Sequence, residues 1–575
     1  MRPYIRQRPA APVPALAGAG VPALLQRIYA ARGVDQPEDL NLSLQRLLPP
    51  TAMKGVKEAA ELLADAIEGE ARVVVVGDFD ADGATSSALA VSVLRQMGLS
   101  EVSYLVPNRF EFGYGLSPEI VGIAAAREPD LIVTVDNGIS SLDGVIAAQA
   151  LGISVLITDH HLPGDELPSA DVIVNPNQPG CAFPSKNLAG VGVIFYVLTA
   201  LRAELRHRGW FDLTGLAPPN LGDALDLVAL GTIADVVPLD YNNRILVAAG
   251  LARIRSGRAR PGIEALLEAA GRDMRKLSSS DLGFAIGPRL NAAGRLEDMS
   301  IGIECLLAES TFAARPLANQ LSDLNRERQD IERGMSEEAL AQMASIDLGD
   351  TTLPFGIVLH DARWHQGVVG ILASRIRERY HRPTIIFADA GEGELKGSGR
   401  SLPGVHIRDI LDRVASQNPG LVNKFGGHAM AAGLTLDARQ LETFSGAFDR
   451  AVAESLQHVP LERCYDTDGE LDAAELSLET AELLAAAGPW GQHFPEPVFE
   501  GAFTILSQRI VGEKHLKLTL QYERIEIDAI AFNVDLTQWP APSVTEINAI
   551  YRLDINEFRG DRRPQLIIET LWPKP

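Results

Sequence analysis

Three aspartates, Asp78, Asp80 and Asp82, follow four consecutive valines in "VVVVGDFDADGATSS" at residues 73 to 87. A valine run of this kind reads as a buried strand, and carboxylates just past its end sit where ligands reach an open α/β sheet. Further along, Asp136 ends the run "LIVTV", and Asp159, His160 and His161 end "ISVLI". Asp235 is delivered in the same manner by "LDLVALGTIADVVPL". These six carboxylates and two imidazoles, gathered at one sheet edge, would repel one another and lose hydration unless cations neutralised them. Divalent metal chemistry follows. Oxygen ligands suit Mg²⁺, and an added imidazole shifts the preference toward Mn²⁺. A lone DxD is commonly a turn or a helix N-cap. The metal reading rests on its combination with Asp136 and the Asp-His-His triplet.

The elements that must hold these residues are readable as alternation. Short β-branched runs at 73–76, 102–106, 131–135, 153–157 and 171–174 are separated by helical stretches, which predicts a parallel sheet covered on both faces. Leu317, Leu321, Leu324, Ile331, Met335 and Met343 recur at close to helical spacing within 312–345, predicting one long linking helix. A second, smaller α/β pattern occupies 353–455, with strands "FGIVLH" and "PTIIFA". From about 498 the texture becomes five alternating strands, the last two joined by a turn containing Gly560 and Asp561, which suggests a small barrel such as an OB-fold. We divide the chain into an N-terminal segment (1–48), an α/β domain that carries the acidic cluster (49–310), a linker helix (311–348), a smaller α/β domain (349–457) and an OB-like domain (458–575).

Composition narrows the function classes. Hydrophobic residues are 46% of 575, ample for large cores. The formal net charge of −23 repels polyanions at long range, so any nucleic-acid role needs local basic patches or bound cations. Cys181, Cys305 and Cys464 have no paired spacing, which fits neither a disulfide framework nor a thiolate zinc site and points to a reducing cytoplasm. The apolar N-terminus is broken by Pro12, Pro14 and Pro22, against a signal peptide, and no apolar run approaches the roughly 20 residues of a membrane span.

The segments "GDFDADG", "TVDNGIS", "TDHH" and "GTIADVVPL" resemble, in order, the four acidic motifs of the DHH phosphoesterase superfamily. With "PRLNAAGR", "WHQGVVGILASR", "GSGRS" and "GGHAMAAG", the chain from about 45 to 575 resembles the RecJ family of that superfamily. The resemblance implies a DHH domain, a DHH-associated domain, and a 5′-to-3′ exonuclease specific for single-stranded DNA with two catalytic ions, Mn²⁺ or Mg²⁺. It carries ligand roles to Asp80 and Asp82, a bridging role to Asp136, and the remaining ligand positions to Asp78, His160 and Asp235. Asp159 then orients the adjacent imidazole and His161 faces the scissile phosphate. Partners implied are single-stranded DNA, a single-strand-binding protein and a helicase, for a monomer with no membrane association.

Candidate polymer contacts come next. Ser398, Arg400 and Arg109 look like donors to the 5′ phosphate, with Phe110, Phe112 and Tyr114 near enough in sequence to stack on bases. "GGHAMAAG" reads as a Gly-rich loop opening a helix, with His428 at a phosphate, and "ELKGSGRSLPG" as a possible hairpin loop. His365, Arg289, Asn291 and Arg295 add donors, and Lys514, His515 and Lys517 flank a barrel strand. Competing readings are a DHH phosphoesterase for short oligonucleotides or cyclic dinucleotides, and a non-catalytic scaffold. The first needs no linker helix or barrel; the second needs no intact ligand set.

Overall fold

The computed structural model describes residues 3–108, 115–347, 353–456 and 463–574. They form two units, one of Ile5–Ser322 with Asp466–Pro575, the other of Met1–Tyr4 with Asp323–Tyr465. After the short strand β1 (Tyr4–Gln7), the first sheet comprises β2 (Val73–Gly77), β3 (Val102–Leu105), β4 (Leu131–Val135), β5 (Ser154–Thr158) and β6 (Val172–Val174). Their order is β3-β2-β4-β5-β6, and every neighbouring pair is parallel. Alternate residues bury on opposite faces. Val74, Val76, Ile132, Val155 and Ile157 pack with Ile120 and Val145 of flanking helices, while Val73, Val75 and Val133 are equally buried.

The chain leaves β2 toward β3, then returns to β4 on the other side of β2. Loops after two such strands part and leave a crevice at the switch point. Asp78 follows β2 and Asp136 follows β4, so two acidic segments flank that crevice. The strand expected before Asp235 is instead a helix, Leu225–Ala234, with Asp235 as its C-terminal cap. Every residue from Leu225 to Thr232 is buried, and a run apolar all round carries no period to separate a buried helix from a buried strand.

In the other unit, β7 (Ile357–His360), β8 (Thr384–Gly391), β9 (Glu394–Arg400), β10 (Lys424–Gly427) and β11 (Ala431–Asp437) are ordered β10-β11-β9-β8-β7. Only β7–β8 is parallel. The helix Val369–Tyr380 packs Leu372 and Ile376 on Ile357 and Ile386, and Ile407–Gln417 and Leu441–Ser455 pack on Ile385, Phe387 and Leu434. "GGHAMAAG" opens no helix: it ends β10, turns at 428–430 and starts β11, where Ala432, Leu434 and Leu436 bury with the period of a strand. "ELKGSGR" is likewise strand β9, not a loop. Its glycines are packing residues, since a Cβ on Gly397 would run into Phe387 and one on Gly399 would lie 2.6 Å from Ile407. The expected long helix is present as Thr311–Asp347.

Beyond β12 (Cys464–Thr467), five strands close into a barrel: β13 (Phe499–Val511), β14 (His515–Tyr522), β15 (Ile525–Ala531), β16 (Glu546–Phe558) and β17 (Asp561–Pro573). The order is β13-β14-β15-β17-β16, antiparallel except for β15–β17. The N-terminal segment is tied to the residues leading into this barrel. Arg32 forks onto Asp468 at 2.7 and 3.0 Å, with both side chains at most 1% exposed, and Tyr29 donates to the Ala487 carbonyl at 2.9 Å.

The β14 register makes a direct test. Leu518 is wholly buried, whereas Lys517 meets Asp528 at 2.9 Å on the opposite, partly exposed face. Leu518→Ala should cost roughly 2–5 kcal/mol, and Lys517→Ala at most about 1 kcal/mol, read as the thermal midpoint of the barrel. Equal losses would contradict this register.

Candidate metal centre

Each acidic side chain is placed by a specific backbone device. Asp80 caps the helix Ala81–Gln96, accepting from the N–H groups of Asp82 and Gly83 at 2.9 and 3.0 Å. Asp82, within the first turn of that helix, accepts from Gly190 N–H at 2.6 Å and Val191 N–H at 2.9 Å. Those amides open the helix Gly190–His207, so the positive end of its dipole faces a carboxylate. Asp136 has φ +62°, a left-handed conformation that aspartate tolerates better than most residues. A Cβ on Gly190 would lie 2.5 Å from the Asp136 Cβ, so only glycine allows the helix this close. Asn137 stitches the switch point, donating to the carbonyls of Val76 and Val135 at 3.0 and 2.9 Å.

The Asp-His-His segment is held through Asp159. Its Oδ1 accepts from the N–H groups of His160 and His161 at 2.7 and 3.1 Å and lies 2.8 Å from His161 Nδ1, while Oδ2 accepts from Ile139 N–H at 2.9 Å. His160 Nε2 approaches Asp136 Oδ1 at 3.1 Å and Asp235 Oδ2 at 3.5 Å. His160 Nε2 and Asp235 Oδ2 are buried and make no hydrogen bond. The two imidazole centroids are 4.4 Å apart.

Burial and like charge govern the titration. Burial, then Asp235, pushes Asp82 up to about 7, and burial, then Asp80, does the same for Asp235. Burial and the surrounding aspartates raise Asp136 well above the carboxylate range. Burial works against the Asp159 charge, yet its bonds from His161 and the backbone hold it below the usual value. Burial opposes the His161 cation too, but Asp159 lifts it to about 9. Burial, then the charge of His161, lowers His160, leaving its neutral form suited to ligation.

Among the described residues, three donor sets meet within ligand-bridging distances of at most 4.8 Å: Asp78, Asp80 and Asp136; Asp82, His160 and Asp235; and Asp136, His160 and His161. Hard oxygen donors with one or two imidazoles fit Mg²⁺ or Mn²⁺.

Other sequence-derived candidates fall elsewhere. Asn291 Oδ1 accepts from Ala81 N–H at 2.8 Å, helping to fix the Asp80 turn, and Arg289 Nε donates to Ser322 Oγ at 2.8 Å. Arg295 lies in the same helix, Gly287–Leu296. On the smaller sheet Arg400 Nη1 donates to Ser398 Oγ at 3.0 Å, and burial lowers the Arg400 pKa. A Cβ on Gly370 would meet Arg400 Nη2 at 2.9 Å and Ser398 Oγ at 3.0 Å, which sets both against the start of the helix Val369–Tyr380. His365 Nδ1 accepts from Gly367 N–H at 3.1 Å just before that helix. His428 is exposed in the turn whose Met430 carbonyl accepts from Ser401 N–H at 2.9 Å. Lys514 is exposed, His515 Nδ1 accepts from Asn533 N–H at 3.1 Å, and Lys517 pairs with Asp528. Arg109, Phe110, Phe112 and Tyr114 lie outside the described residues.

Two residues escaped the sequence reading. Asn175 Nδ2 donates to the His161 carbonyl at 2.9 Å and Asn177 Nδ2 to the His160 carbonyl at 2.6 Å. The available signal was position: both follow the strand read at 171–174, at the same edge as the acidic groups.

Family models match three segments: "DHH family, N-terminal domain" at residues 72–232, "DHHA1 domain" at 353–454 and "RecJ OB domain" at 467–570. The single-stranded-DNA-specific exonuclease RecJ of Dickeya dadantii is 58% identical over 555 residues, 96% of each chain. That of Escherichia coli is 56% identical over 557 residues, again 96% of each. The chain belongs to the RecJ family. Among solved structures, RecJ from Thermus thermophilus in complex with Mn²⁺ matches with a TM-score of 0.81 at 31% identity, over 100% of this chain and 79% of that one. The same protein with Mg²⁺ gives 0.75 at 29% identity, over 100% and 78%. RecJ relatives thus hold both ions that the donor chemistry here favours.

Asp82 and Asp235 retain protons up to about 7 in the folded, metal-free chain, against about 4 when unfolded. The folded state therefore binds more protons in that window, and metal-free stability falls as pH rises through it. Metal binding needs ionised carboxylates and works the other way. The rise in melting temperature on adding Mn²⁺ should thus be larger at about pH 7.5 than at about pH 5.5. A rise independent of pH would contradict the assignment.

Proposed function

We propose that the chain is a metal-dependent 5′-to-3′ exonuclease specific for single-stranded DNA, releasing mononucleotides by phosphodiester hydrolysis in DNA repair and recombination. One observation carries this reading: the acidic cluster at the switch point occurs in a chain 56–58% identical, over 96% of its length, to proteins named for that activity. Asp78, Asp80, Asp82, Asp136, His160 and Asp235 would hold two ions, with Asp136 common to two of the three donor sets. When bound, such ions lower the pKa of a water and stabilise the attacking and leaving oxygens of an in-line displacement.

The chain's own groups supply the rest. Asp159 orients His161 and favours its protonated form, which suits it to meet a phosphate oxygen. Gly190 and Val191 hold Asp82 in place while it is charged. Ser398 and Arg400 act as donors to the 5′-terminal phosphate, as does Arg109; His365, His428, Arg289, Asn291 and Arg295 are further donors to phosphate oxygens. Lys514, His515 and Lys517 bind the strand farther along. We read residues 49–310 as the catalytic domain, 349–457 as the DHH-associated domain and 458–575 as the OB-like domain. A monomer in the cytoplasm, fed by a helicase and a single-strand-binding protein, completes the reading. No helix among the described residues is long and apolar enough to cross a membrane. The barrel and linker helix speak against a phosphoesterase for small substrates, and the complete donor set against a scaffold.

Asp136→Ala should abolish Mn²⁺-dependent release of mononucleotides from a 5′-labelled single strand, with the fold kept because a repelled charge is removed. Residual hydrolysis near the wild-type rate would refute the assignment. For the barrel, Lys514→Ala combined with Lys517→Ala should raise KM on long strands and make it less steeply dependent on salt, while sparing strands of a few nucleotides. An equal loss on both lengths would reject the strand-binding role.

A further inference from the structure

Residues 175–191 run from the end of β6 into the first turn of the helix Gly190–His207, and none of them belongs to a donor set. We propose that this segment is the positioning element of the metal centre, with Asn177 its principal positioning residue; the inference rests on the metal reading above. The segment engages the stretches that carry Asp82, Asp136 and His160, and it is anchored beside the one that carries Asp235. Asn177 Nδ2 donates to the His160 carbonyl at 2.6 Å and to the Lys186 carbonyl at 3.3 Å, and Asn175 Nδ2 to the His161 carbonyl at 2.9 Å. At the far end, the amides of Gly190 and Val191 hold Asp82 at 2.6 and 2.9 Å, and Gly190 packs against Asp136.

The middle is anchored to the stretch after Asp235. Ser185 Oγ and Asn187 Nδ2 donate to Asp240 Oδ2 at 2.6 and 3.2 Å, and Asn243 Nδ2 returns to the Asn187 carbonyl at 2.6 Å. Asp240 Oδ1 meanwhile caps the helix Tyr241–Arg255. Lys186 Nζ closes the segment on itself through the carbonyls of Pro176 and Cys181, at 2.6 and 2.9 Å. Like-charge repulsion drives the ligand segments apart. A single internally braced strap tied to these stretches resists that spreading through hydrogen bonds, adding no carboxylate of its own and occupying no ligand position. Its loss should therefore weaken ion binding before it weakens the fold.

The test measures Mn²⁺ binding by electron paramagnetic resonance on the full-length protein without DNA. Asn177→Ala should bind Mn²⁺ about tenfold more weakly, and excess Mn²⁺ should restore its turnover by mass action. Its metal-free melting temperature should fall by only a few degrees, as for the loss of roughly one hydrogen bond. Asp240→Asn keeps side-chain size and helix-capping ability and should shift Mn²⁺ affinity in the same direction. Affinity within about twofold of wild type in both variants, with Asp136→Ala weakened, overturns the positioning role and leaves the metal reading standing. Wild-type Mn²⁺ binding by Asp136→Ala overturns the metal reading and this inference with it. Should Asn177→Ala fail to fold, Asp240→Asn decides by the same criterion.

Discussion

Carboxylates gathered away from water are the constraint around which the catalytic half of the chain is organised. Asp78, Asp82, Asp136 and Asp159 are each at most 5% exposed, and burial together with mutual repulsion raises three members of the cluster, Asp82, Asp136 and Asp235. A protein tolerates this only if the groups stay protonated or if cations neutralise them. Asp159 is relieved from within, by three backbone amides and an imidazole, and is held below the usual carboxylate range.

The parallel sheet answers the constraint by topology. A switch point between β2 and β4 lets two strands deliver acids from opposite sides of one crevice. Helix N-termini add fixed positive ends: Asp80 caps one, and Asp82 meets another at Gly190. Glycine is required where Gly190 meets Asp136. Two of the left-handed non-glycine residues lie at the cluster, Asp136 at φ +62° and Val236, next to Asp235, at φ +63°. Left-handed residues of this kind persist where surrounding structure over-determines them, commonly at functional sites.

Most of this architecture could be read from the residues. Valine-rich runs with acids at their ends gave the sheet and its ligand edge, and the alternating runs after 498 gave the barrel, because burial on one or two faces leaves a period in the sequence. Failures share a cause. The stretch before Asp235 buries all round and so has no period; β9 carries glycines where Phe387 and Ile407 need the room, and β11 opens on alanine and glycine, which show no strand pattern. Asn175 and Asn177 were missed because their work is done on carbonyl oxygens, which leave no side-chain pattern to recognise. Asn291, read for its amide donor, also has an oxygen that accepts from the turn carrying Asp80, a contact with no pattern in the sequence.

The central claim is that the acidic cluster exists to hold two ions that share Asp136. Anomalous X-ray scattering at the manganese edge, on crystals of the DNA-free protein equilibrated with Mn²⁺, tests it most directly. The account predicts two peaks in the crevice between β2 and β4, each within ligand distance of an Asp136 oxygen. A single peak away from Asp136, or none in that crevice, would contradict it.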